Sequence, residues 1–152
     1  MPMTDEEYRV AQALDARVAE EVLGLEVVEV EEVDSLKVAL LKQSRTPKRQ
    51  WGNCWMKVKR LKDGRHLPRY STEIAEAMDV LRFIHEGNDT RPRLLFSGRR
   101  RFYEALADQC VTEDGRRVVW PDALGCFREQ MPLFICRAAL AVVGANTQTQ
   151  RG

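Results

Sequence analysis

The sequence predicts one mixed α/β domain of the α+β kind. Three observations lead there. Its 152 residues, 44% of them hydrophobic, suit a single core without disulfides or metal. Segments with a helical period of apolar residues alternate with short segments of period two. No repeat or low-complexity tract suggests a solenoid or a disordered chain. The folded unit is expected over residues 1–145, with 146–152 as a polar C-terminal tail.

At the start, Thr4 stands three residues before Glu7, a capping-box spacing. Met3 and Tyr8 are placed for a hydrophobic staple, and Val10, Leu14, Val18 and Val22 recur every four residues up to Gly24. This is a helix. Residues 25–33, rich in Val and Glu, suit a strand with one exposed face, and Asp34-Ser35 is expected to turn the chain into a second strand over 36–41. Residues 42–53 (KQSRTPKRQWGN) have little apolar content and predict a loop or arm. Cys54, Met56 and Val58 then alternate with Trp55, Lys57 and Lys59 in a strand closed by an Asp63-Gly64 turn.

Ser71 reads as the cap of a helix whose stripe is Ile74, Ala77, Met78, Leu81 and Ile84, ended by Gly87-Asn88. Residues 94–96 predict a short buried strand. Phe102, Ala105, Leu106 and Cys110 mark a further helix, with strand as the alternative. Residues 118–120 predict another short strand, and Pro132 opens a last helix reaching about Val143. Over 131–145 only Arg137 is charged, so this helix should be largely buried, with Arg137 snorkelling, reaching a carbonyl or pairing with a carboxylate such as Glu76 or Asp79.

Charge is distributed unevenly although the net is +1. Residues 1–34 hold eleven acids and two bases, residues 35–69 eleven bases and one acid. Such a basic stretch meets nucleic acid, an acidic partner or the chain's own acidic segment. No apolar run is long enough to span a bilayer and the acidic start is unlike a signal peptide, so the expected location is cytoplasmic. Cys54, Cys110, Cys126 and Cys136 form no C-x-x-C pair, which suits free thiols, and the spacing of His66 and His85 gives no metal site and no cofactor.

Three stretches carry a family resemblance: LPRYSTEIAEAMDVL at 67–81, VVWPDAL at 118–124 and PLFICRAALAVVG at 132–144. With the opening VAEEVLGLEVVEV, the chain resembles the phage ABA sandwich domain family of small bacteriophage and prophage proteins, in which a "YSTDI" helix start and an "ICRAAL" final helix recur. The resemblance implies a three-layer α/β/α sandwich with a small, mostly antiparallel sheet, a phage or prophage origin and the cytoplasm of a bacterial host. It supplies no catalytic residue, and it does not extend over 35–62.

The candidate binding residues are Lys48, Arg49, Trp51, Trp55, Lys57 and Lys59, a mixture of cations and indoles suited to phosphates and stacked bases. The bland reading is that these cations neutralise the acidic N-terminal segment. Arg99, Arg100 and Arg101 stand at an expected helix start, where backbone N–H groups attract anions but three cations oppose the dipole. His66 with Ser71 is the nearest approach to a nucleophile and base, and no catalytic motif occurs. The expected function is therefore a non-catalytic phage accessory protein that binds nucleic acid, a phosphorylated ligand or an acidic host protein. Two alternatives are an enzyme on a phosphorylated substrate, with arginine clamps and His66 or His85 as acid or base, and a protein that assembles into homo-oligomers.

Overall fold

A computed structural model describes the backbone of residues 4–151, and the side-chain surroundings of 4–143 apart from Asp5. In chain order the elements are α1 (Asp5–Arg17), continued by a π-helical turn (Val18–Val22), β1 (Val27–Val33), α2 (Ser35–Gln43), a 3-10 turn (Lys48–Cys54) and β2 (Trp55–Leu61). Then follow α3 (Ile74–Glu86), α4 (Phe96–Gln109), α5 (Asp122–Cys126) and α6 (Met131–Arg151). The class is α+β, with one small antiparallel sheet.

The core is made by helices. On α6, Met131, Ile135, Cys136 and Ala139 are fully buried because α3, α4 and the π turn all pack on that helix. Their contributions are Val80 and Ile84 from α3, Phe102 and Leu106 from α4, and Val18 and Val22 from the π turn. The apolar spacing set this arrangement, since α3 and α4 each bury one stripe and α6 is apolar around most of its circumference over 131–145. Arg137 falls on the exposed side of α6 and keeps its charge in water, so it needs neither Glu76 nor Asp79. Instead Glu76 accepts the Arg69 N–H, and Asp79 pairs with Arg82.

The layering is more helical than a three-layer sandwich. Only two strands exist among the described residues, and the ribbon joins the core at its base through Leu61 and the half-buried Val27. Val27 pairs with Leu61 and Val33 with Trp55, in continuous antiparallel register. Met56 and Val58, expected to be buried, are exposed and half-buried respectively, because α1 stands off that face of the ribbon.

Several local expectations hold and others change. The Thr4–Glu7 capping box is formed, while Met3 lies outside the described residues. Val10, expected on the buried stripe, is exposed. Residues 36–41 are helix rather than strand: Asp34 accepts the Lys37 N–H at 3.0 Å as an N-cap, and Leu-Lys-Val-Ala-Leu-Leu is a run of mostly good helix formers. β1 takes its partner from beyond that helix. The expected arm over 42–53 is ordered by the 3-10 turn and by the Trp51 indole N–H donating to the Thr46 carbonyl at 3.1 Å.

Ser71 does not cap α3. Its N–H donates to the Asp15 carboxylate at 2.8 Å, Glu73 occupies the cap position, and Gly87 ends the helix at φ +75°. Residues 94–96 and 118–120 form no strand. Phe96 opens α4, and the Val118 N–H donates to the Cys110 carbonyl without a third strand to extend a ladder.

Candidate functional site

The predicted site residues sort by their place along the ribbon. On one face of the sheet Lys59 lies opposite Glu29, Lys57 opposite Glu31, and Trp55 opposite Val33. Arg60 pairs with Glu32 across the strands, and Lys62 Nζ is 2.8 Å from Glu26, whose carboxylate raises the lysine pKa. The acidic N-terminal segment thus answers the cations of β2 strand to strand. Such exposed cross-strand pairs each contribute a few tenths of a kcal/mol and hold register, as the bland reading of the basic stretch requires.

Beyond the ladder the charge is unanswered. Residues 35–54 contain Lys37, Lys42, Arg45, Lys48 and Arg49 and no carboxylate. None of these five enters an ion pair among the described residues: Lys37 Nζ donates to the Asn53 carbonyl at 3.1 Å, and Lys42 Nζ lies 5.8 Å from the Trp51 ring centre. Lys48 and Arg49 are exposed at the start of the 3-10 turn. In this small lobe α2 buries no residue, and Cys54 is the buried member of the 3-10 turn.

The lobe also displays apolar side chains to solvent. Trp55 is 57% exposed, with Val33 beside it across the ladder, while Leu36 and Leu40, one helical turn apart on α2, are 73% and 55% exposed. Trp51 differs from Trp55: it is half-buried and spends its N–H on Thr46. Leu36, Leu40 and Val33 escaped the sequence reading because 36–41 was expected as a strand of the sheet. The i, i+4 spacing of Leu36 and Leu40 inside an acid-free run was the signal available.

Arg99, Arg100 and Arg101 are not at the N-terminus of α4, which starts at Phe96. Arg99 is half-buried. Arg100 pairs with Glu104 at 3.3 Å, and Arg100 and Arg101 border a shallow hollow of about 290 Å³ with Phe96 and Ser97. Successive positions point about 100° apart on a helix, so the three arginines do not converge, and α4 packs on α6 rather than on the ribbon.

Catalytic pairings do not assemble. His85 Nε2 is 2.6 Å from the Tyr103 hydroxyl, and His66 is exposed in a bridge to Arg60. Among the described residues, neither histidine hydrogen-bonds Ser71 or a cysteine. Burial pushes the Cys110 and Cys136 thiols up, away from the thiolate form a nucleophile needs. Among the described residues no helix is long and apolar enough to cross a membrane. No family model, curated protein or solved structure matches the chain.

Proposed function

We propose that the chain is a non-catalytic binding protein whose lobe at the end of the ribbon, residues 33–57, docks a partner protein presenting acidic and apolar side chains together. One observation carries this reading: five cations that form no ion pair among the described residues share that lobe with exposed Trp55, Leu36 and Leu40. Exposed aromatic and aliphatic side chains rimmed by charge mark interaction surfaces. Phosphates would meet Glu29 and Glu31 next to Lys57 and Lys59, and exposed leucines give a nucleic-acid backbone nothing to bind, so the observations favour protein over nucleic acid. In line with the resemblance to phage proteins, the setting proposed is the cytoplasm of a bacterial host, with a host protein as the partner.

The test uses two probes, a synthetic peptide alternating Glu with Leu and Phe, and a 20-nucleotide single-stranded DNA. Tryptophan fluorescence reports on Trp51 and Trp55 in the lobe, and a Trp120→Phe variant removes the third indole. The peptide is expected to bind at 150 mM salt and to lose at least tenfold in affinity both in K48E/R49E and in L36S/L40S. DNA binding that falls steeply with salt and ignores L36S/L40S would replace the protein partner with nucleic acid. Binding of neither probe would remove the lobe as a binding surface.

A further inference from the structure

A second feature lies on the other face of the ribbon. Between that face and α1 there is a cleft of about 510 Å³, within the size range of small-molecule sites. Tyr8, Gln12 and Asp15 line it from α1, at spacings that place them on one side of the helix. Met56 and Val58 line it from β2, and Leu67 and Pro68 from the following loop, so much of the wall is apolar. The cleft exists because the ribbon is anchored only at its base, leaving Met56 42% exposed where a packed layer would have covered it.

Three carboxylates border the cleft, and one of them, Glu32, is already paired with Arg60. Asp15 is only 4% exposed and accepts the Ser71 N–H at 2.8 Å, while Glu76 is half-buried and accepts the Arg69 N–H at 2.9 Å. Neither forms an ion pair among the described residues. Burial raises the Asp15 pKa, the nearby Glu76 charge adds to that, and Ser71 and Arg69 oppose it. Of the cations along the cleft, Arg60 is paired with Glu32 on its rim, Lys59 stands opposite Glu29 in the ladder, and Arg69 lies close enough to Asp15 to lower its pKa. A buried carboxylate of this kind gains from a cation brought into the same desolvated space.

We propose that this cleft binds a small organic cation, an ammonium or guanidinium group on an apolar stem, with the charged head at Asp15 and Glu76 and the stem against Met56, Val58 and Leu67. The apolar wall suits methylenes, and the carboxylates accept the N–H donors of the head. Asp15 and Glu76 set two negative charges against the one Arg69 cation in that space, which favours a cation over an anion. The site shares Met56 with the lobe proposed above but lies on the opposite face of the ribbon from Trp55 and Lys57.

The experiment titrates the full chain with agmatine, which carries a guanidinium and an amine on a four-carbon stem, and follows amide shifts by NMR and heat by calorimetry. Shifts are expected at Asp15, Ser71 and Glu76. Asp15→Asn keeps the acceptor for Ser71 and removes the charge, and should weaken binding at least tenfold, as should Glu76→Gln, while both variants keep the wild-type fold by circular dichroism. Asp79→Asn, on an exposed part of α3, should leave binding unchanged, and uncharged n-butanol should bind far more weakly. No binding at millimolar agmatine, shifts confined to other surfaces, or equal affinity in wild type, Asp15→Asn and Glu76→Gln would each overturn the proposal. The K48E/R49E variant should bind agmatine as wild type does, which separates failure here from failure of the lobe.

Discussion

Replacing Arg91 should destabilise the fold although the residue lies in the loop between α3 and α4, outside the buried core. The π-helical turn ends at Val22 with carbonyls that have no partner further along the chain, and the loop after α3 supplies donors. The Arg91 guanidinium donates to the Glu21 carbonyl, to Glu20 at 3.3 Å and weakly to Val22 at 3.5 Å, while the Asn88 amide donates to Leu23 at 2.9 Å. A hydrogen bond from a charged donor contributes ~1.5–3 kcal/mol when well formed. Exposure and long geometry reduce two of the three, and the cation adds ~0.3–1 kcal/mol at the negative end of the helix dipole. Arg91→Ala should therefore cost about 1.5–3 kcal/mol, lowering the melting temperature by roughly 3–10 °C for a chain of this size. Arg91→Lys should fall between, since one ammonium cannot fork over successive carbonyls.

Urea unfolding followed by circular dichroism would read these values, with an unchanged slope showing that the native state alone is affected. A second observation sharpens the case. A Cβ on Gly24 would stand 2.8 Å from Arg91 Nε and from Thr90 Cγ2, at φ +71°. Gly24→Ala should thus cost less in the Arg91→Ala background than in wild type, a coupling that double-mutant cycles measure. Arg91→Ala within about 0.5 kcal/mol of wild type, the usual range for featureless surface positions, would refute the clamp.

Gly87→Ala should be worse tolerated than Gly24→Ala, because its Cβ would meet the Arg93 backbone nitrogen at 2.5 Å at φ +75°, and a backbone atom cannot rotate away. A loss of at least about 2 kcal/mol is expected in the same assay. For Asp15, the folded pKa lies above the ordinary carboxylate value of 3.8, mainly through burial, so the native state binds the proton more tightly than the unfolded chain. The contribution is fully present below pH 3.8 and is lost as pH rises through the folded pKa. Asp15→Asn should therefore melt higher than wild type at pH 7, with the difference shrinking towards pH 3.5. A difference that does not depend on pH would contradict this origin.

How much was legible in the chain depended on the range of the interactions. Thr4 with Glu7, Gly87 after α3 and the Asp63-Gly64 turn are settled within a few residues, and they appear where their residue types place them. The 36–41 segment was misread because a short apolar run fits either period, and the decision fell to Asp34 acting as a cap rather than as a turn residue. Ser71 was misassigned for the opposite reason: its local role as a cap lost to a partner 56 positions away. At the candidate lobe, the basic stretch and Trp55 were visible as composition, but not which cations β1 would answer. Lys57 and Lys59 face Glu31 and Glu29 only because β1 skips the next segment and pairs with β2.

By itself the sequence determined the mixed class, the Thr4 cap of α1, the Gly87 stop of α3 and the stripes that bury α3, α4 and α6, since these follow from neighbours one to four positions apart. Tertiary structure alone decided the pairing of β1 with β2, the cation-rich lobe beyond it, the cleft beneath α1 and the Arg91 clamp. Each of those joins residues about 20 to 70 positions apart. Such contacts form only when a shared core brings distant segments together, and no local pattern records which of several chemically equivalent partners will be there.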